Sequence, residues 1–81
     1  MQISIQFHSY FKDLAGCSGT SEGLPDGATL GELHCRLMTR FPKLAAMERS
    51  TLIAVGFEYQ PKTYALKEGD EVSLFPPVQG G

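Results

Sequence analysis

The residues best suited to chemistry are the closing run Phe75-Pro76-Pro77-Val78-Gln79-Gly80-Gly81. A small domain ordinarily closes on charged or polar residues that fray into water. This run reads instead as strand, stiff diproline and two bare glycines. Glycine has no Cβ, so Gly80 and Gly81 can pass through a gap that admits only backbone. The α-carboxylate of Gly81 is then the least hindered carboxylate a chain can present. At ordinary glycine usage such a terminal pair arises by chance in about 0.5% of chains. The run therefore predicts that the carboxyl group of Gly81 is itself the reacting group.

The residues before it form a device for delivering that group. Pro76 and Pro77 cannot donate ladder hydrogen bonds and favour an extended polyproline geometry. Residues 76–81 reach roughly 20 Å at about 3.3 Å per residue. A stiff stalk loses less entropy on entering a partner's groove. Val78 offers a small apolar anchor there and Gln79 a polar one.

Other chemistry-bearing residues are sparse. His8 and His34 lie far apart with no carboxylate cluster between them, so no metal site is expected. Cys17 and Cys35 have neither redox nor zinc spacing and predict two free thiols in a reduced, cytoplasmic setting. Cys17 has no evident cationic neighbour to activate it. Cys35 falls beside the main helical stripe and is expected to pack at its flank. Glu68, Asp70 and Glu71 make an acidic cluster expected near the base of the tail, as a solvated turn or a docking patch for basic partners.

The elements that must position the tail follow from periodicity. Ile3, Ile5 and Phe7 alternate with polar residues, which predicts a strand with one buried face. Ser9 to Ala15 reads as one or two helical turns stopped by Gly16. Cys17 to Thr20 reads as a loop and Ser21 to Leu24 as a weak strand containing Gly23, with a turn at Pro25-Asp26-Gly27. Thr29-Leu30-Gly31-Glu32 has the form of a capping box. Leu30, Leu33, Leu37, Met38 and Phe41 then form one apolar helical stripe, ended by Pro42. Leu52 to Phe57 reads as a buried strand, Tyr64 to Leu66 as a short one, Lys67 to Asp70 as a turn. Glu71 to Phe75 is the last strand, with Val72 and Leu74 on one face and Phe75 on the other, partly exposed.

This order predicts an α+β roll, a mixed sheet of about five strands beside one main helix. Residues 1–75 make the domain and 76–81 the tail. If the first and last strands pair, they are parallel and central, and the base of the tail is anchored in the core. The formal charge is −2, and the seven basic residues are scattered, which argues against nucleic acid as a partner. No apolar run is long enough to span a bilayer, and the alternating start is unlike a signal peptide.

These features together resemble the β-grasp (ubiquitin-like) sulfur carriers, most closely the small subunit of molybdopterin synthase. The residues that carry the resemblance span the chain: Ile3 to Phe7, Phe11 to Gly16, Thr29 to Leu37, Leu66 to Val72 and, above all, Phe75 to Gly81. The chain departs from the pattern at Gly56-Phe57, where such carriers often have an asparagine, and at Gly23. The resemblance implies that an E1-like adenylyltransferase consumes ATP to convert the Gly81 carboxylate to an acyl-adenylate. A persulfide-derived sulfur then displaces AMP and leaves a thiocarboxylate. The large subunit of molybdopterin synthase would receive the tail and pass the sulfur to a pterin precursor. On this reading Gly81 is the covalent carrier, Gly80 the clearance residue, and Phe75, Pro76, Pro77, Val78 and Gln79 meet the partner. The chain binds no cofactor and is not an enzyme alone. The terminal glycines alone also fit a protein modifier forming isopeptide bonds through Gly81, or a sulfur carrier for thiazole or another metabolite, but the preceding Phe75-Pro76-Pro77-Val78 looks like the molybdopterin branch.

Overall fold

A computed structural model describes residues 1–77 of the chain. Strand β1 (Gln2–Phe7) buries every second residue, and Ile3, Ile5 and Phe7 all point into the core. A short helix α1 (Phe11–Ala15) follows and ends at Gly16, whose N–H bonds the Lys12 carbonyl. Strand β2 (Gly19–Gly23) pairs antiparallel with β1. It begins inside the segment expected to be loop and ends before Leu24. Its residues have little apolar content, so pairing with β1 rather than burial defines its limits.

Helix α2 (Leu30–Arg40) is the one long helix and buries Leu30, Leu33, His34 and Leu37. Its first turn leaves no orphan donor, the usual difficulty at a helix start. The amides of Leu30 and Gly31 donate to the carbonyls of Tyr64 and Lys62, each at 2.9 Å. Glu32 N–H donates to Thr29 Oγ1 at 3.3 Å, and Leu33 N–H to the Thr29 carbonyl. The threonine half of the capping box is thus present. The Leu30 and Gly31 amides are served instead by segment 60–64, which crosses the helix start as a strap. Gly31 suits that crossing: a Cβ there would sit 3.3 Å from both the Cβ and the carbonyl oxygen of Lys62 and would press the strap outward by a few tenths of an ångström.

After Pro42 the chain makes a 3₁₀ segment (Pro42–Ser50) that buries Leu44. It carries no apolar stripe long enough to show as a sequence period. Strand β3 (Leu52–Val55) is shorter than the expected 52–57 run. Gly56, at φ +64°, turns the chain into a hairpin with the two-residue strand β4 (Glu58–Tyr59). Phe57 is consequently fully exposed at the turn rather than buried in a strand. Tyr64 to Leu66 forms only an isolated bridge, Ala65 opposite Thr29.

The last strand, β5 (Glu71–Phe75), is central. The sheet order is β2-β1-β5-β3-β4, with β1 and β5 parallel and β5 antiparallel to β3. The chain is therefore the mixed five-stranded β-grasp roll expected, with α2 packed on one face. The core lies between sheet and helix, where Val72, Leu74, Leu33 and Leu37 are all sealed from water.

The edge strand β2 is covered in an unusual way. Ser21 and Gly23 belong to non-hydrogen-bonded pairs with β1, so their carbonyls face outward. Arg40 donates to the Ser21 carbonyl at 2.9 Å and Arg36 to that of Gly23 at 3.4 Å. Arg40 also holds the Glu22 carboxylate at 2.6 Å and Thr20 Oγ1 at 2.9 Å. Helix arginines thus occupy acceptors that another strand would use, a recognised protection for a sheet edge.

Candidate functional site

The tail leaves the domain at Phe75, the last residue of the central strand. Val72 and Leu74 fix the phase of β5 by entering the core, which turns Phe75 to the opposite face of the sheet. Phe75 is half-buried there, as are Pro76 and Pro77 directly after it. Its neighbours come from three strands. Leu52 is its register partner on β3. The imidazole of His8 stacks on it from the β1 side, ring centroids 4.3 Å apart. Tyr59, on β4, meets it edge-on at 6.3 Å. His8 N–H donates to the Leu74 carbonyl at 3.1 Å, which continues the β1–β5 ladder to the point of exit.

The outer face of the sheet around this exit is thus an aromatic and apolar strip, with Gln6 and Ser73 paired beyond it. Tyr59 is 65% exposed, so much of the strip meets water. It has no carboxylate. Its one titratable ring besides the Tyr59 phenol is the His8 imidazole, stacked on Phe75. Among the described residues no group of three His, Cys, Asp or Glu side chains could hold a metal ion, and no helix is long and apolar enough to cross a membrane.

Of the residues singled out from sequence, Phe75, Pro76 and Pro77 come together at the exit. Val78, Gln79, Gly80 and Gly81 lie outside the described residues. The acidic cluster is not at the base of the tail. Glu68 and Asp70 lie in the turn before β5, whereas the tail follows it, which puts them at the opposite end of the sheet. Two of the carboxylates serve that turn. Glu68 accepts from Gln2 N–H at 3.1 Å and Asp70 from Lys67 N–H at 2.9 Å. Cys35 is exposed on α2 and does not pack at the flank of the stripe. It lies 200° from Leu33 at 100° per residue, on the far side of the helix. Sequence reasoning missed His8, Leu52 and Tyr59. His8 continues the outward phase of Gln2, Ser4 and Gln6, and that signal was available. Tyr59 depends on a two-residue strand that leaves no periodic trace.

The family model described as the ThiS family matches residues 5–81. The chain belongs to the ThiS family. Among curated relatives of this ThiS-family chain is the molybdopterin synthase sulfur carrier subunit of Chlamydomonas reinhardtii. It is 33% identical over 84 residues, covering 100% of both proteins. Among solved structures, SAMP1 from Haloferax volcanii superposes with a TM-score of 0.91 at 22% identity, covering 100% of both chains. A second, from a complex of subunits 1 and 2 of the molybdopterin-converting factor of Helicobacter pylori, has a TM-score of 0.72 at 23% identity, again over 100% of both chains. At these identities the two structures establish that the ThiS-family chain has the ubiquitin-like β-grasp fold.

Proposed function

We propose that this ThiS-family chain is the sulfur carrier subunit of a molybdopterin synthase. The observation that carries the proposal is its end-to-end likeness to the algal sulfur carrier subunit. The fold supports it, because a tail continuing from the central strand has a fixed base beside an apolar docking strip. The Gly81 carboxylate attacks the α-phosphate of ATP on an activating enzyme, pyrophosphate leaves, and an acyl-adenylate forms. The outer sulfur of a donor persulfide then attacks the carbonyl carbon and AMP departs, leaving an acyl disulfide. A second thiol attacks the donor-side sulfur, closes a disulfide with it and releases the Gly81 thiocarboxylate. The resulting thiocarboxylate is carried to the synthase large subunit, where its sulfur is transferred to a pterin precursor. The large subunit as partner is supported by the Helicobacter pylori neighbour, which was solved as a complex of two subunits. Acid–base groups for these steps belong to the partners.

The test is intact-mass measurement of the chain after incubation with an activating enzyme, ATP and a sulfur donor. The expected product is heavier by the exchange of one oxygen for sulfur. Adding the large subunit and a pterin precursor should return the original mass as dithiolene forms. Conjugates on lysines, without thiocarboxylate, would instead identify a protein modifier. Thiocarboxylate that is not consumed with the pterin would identify a carrier for another metabolite.

A further inference from the structure

His34 is the one polar side chain in the core of the described residues, at 1% exposure. Neither of its ring nitrogens has a hydrogen-bond partner among those residues. A neutral imidazole must carry one N–H, and an imidazolium two, so this site accepts the neutral ring at a cost and the charged ring at a far larger one. Lys62, on the strap, and Glu48, on the 3₁₀ segment, face His34; their side chains approach each other to 3.9 Å. Glu32, Cys35 and Arg36 line the groove between α2 and Lys62 together with His34 itself. Burial and then the charge of Lys62 hold the imidazole below its ordinary pKa, against a smaller opposing pull from Glu48.

The strap that covers this side of α2 is held by backbone bonds and by Tyr64, which packs against the edge of the core. Its Lys62 and Tyr64 carbonyls take the Gly31 and Leu30 amides. The adjoining groove has a volume of about 560 Å³, so a short movement of the strap brings water to His34. Opening of this kind can stay local because the central β1–β5 ladder uses no strap residue.

We propose that His34 makes the strap at residues 60–64 an acid-released latch, closed over the start of α2 near neutral pH and detaching on acidification while the central sheet stays folded. The sign follows from linkage. In the closed form the ring stays neutral below its ordinary pKa of about 6.5, whereas in the open form it takes up a proton. Stability of the closed latch is complete above that pH and is lost as pH falls below it. From about pH 7.5 to about pH 5 the opening constant should rise, the open form's ordinary pKa setting a ceiling of about thirty-fold on the rise.

Amide hydrogen exchange, corrected for the intrinsic rate, reads this constant at Leu30 and Gly31. The expected result is a rise of several-fold there, up to that ceiling, with a much smaller rise at the His8 amide in the central ladder. His34→Leu should flatten the profile. Two further variants keep the test decisive if that one does not fold. Lys62→Met removes the neighbouring positive charge, so the closed form protonates sooner and the rise should level off at higher pH. Glu48→Gln should carry the rise to lower pH. Exchange at Leu30 and Gly31 that is independent of pH overturns the proposal. So does an equal rise at His8, or identical profiles for Lys62→Met and Glu48→Gln.

Discussion

The imidazole of His8 lies nearly flat on the ring of Phe75, their planes 11° from parallel. Phe75 ends β5 and His8 directly follows its parallel neighbour β1, so the stack closes the sheet where the tail departs. An aromatic pair of this kind contributes about 0.5–1.5 kcal/mol beyond its buried area. Pro76 therefore follows a defined base, beside an aromatic surface that meets water.

The first prediction concerns that surface. Phe75→Ala removes the stack with His8 and the edge contact with Tyr59, but it opens no core cavity because Phe75 is half-buried on the outer face. Binding to the synthase large subunit should weaken at least tenfold, equivalent to about 1.4 kcal/mol. Stability should fall by less than the roughly 3–5 kcal/mol typical of a buried Phe→Ala change. Calorimetric titration alongside a thermal melt checks both. A large loss of melting temperature with unchanged affinity would move Phe75 from the docking surface to the core.

Ser9 supplies a second prediction. It is the only non-glycine residue with positive φ among the described residues, at +57°. The left-handed region costs an ordinary residue roughly 1–2 kcal/mol, and a β-branched one is excluded more strongly. Ser9→Gly should leave stability unchanged or slightly raised, the relief being offset by glycine's freedom when unfolded. Ser9→Val should lower it by more than about 1 kcal/mol. Equal urea midpoints for the two variants would contradict the strain.

Much of this architecture was legible in the sequence, and the reason is physical. The β1 alternation, the α2 stripe and the phase of β5 are local patterns whose period is set by burial, so Ile3, Leu37 and Val72 announced their own positions. What was illegible depends on contacts between distant segments. Strand β4 exists because Gly56 reverses the chain, and a two-residue strand has no period. The strap at Lys62 and Tyr64 is defined by the helix amides it serves. His34 gave no sign of being sealed in, because a histidine on an apolar stripe fits either side of the boundary. The acidic turn was misplaced because nearness in sequence was read as nearness in space. Glu71 and Phe75 are four residues apart, but in a strand that is about 13 Å.

Arg40 provides a third prediction. Arg40→Ala removes its bonds to Thr20, Ser21 and Glu22 and uncovers the outward carbonyl of Ser21. The arginine is well exposed, so the loss of stability should be modest, about 1 kcal/mol. The larger effect should be self-association through β2, visible as concentration-dependent sedimentation. A variant that stays monomeric at high concentration would show that the arginine does not guard the edge.

The fourth prediction tests the proposed chemistry. Deleting Gly81 withdraws the reacting carbon by about 3.5 Å, and appending alanine displaces it and adds a Cβ. Reaction requires approach to about 3–3.5 Å in the active sites of two different partners. Both variants should fold normally by circular dichroism and fail to support dithiolene formation. Near-native rates with either one would remove Gly81 from the role of carrier.

The parallel pairing of β1 with β5 has a kinetic consequence. Ser4 finds its register partner at Glu71, and Phe7 at Leu74. The centre of the sheet therefore joins the two extremes of the folded domain, and nearly all the intervening chain must be gathered before that ladder rewards its closure. Hairpins such as β1–β2 and β3–β4 can form early, yet neither has a covered face until β5 slots between them. The strand that carries the tail is thus the keystone of assembly: a chain whose residues 71–75 are damaged or missing loses its tail's anchor and its route to the native state together.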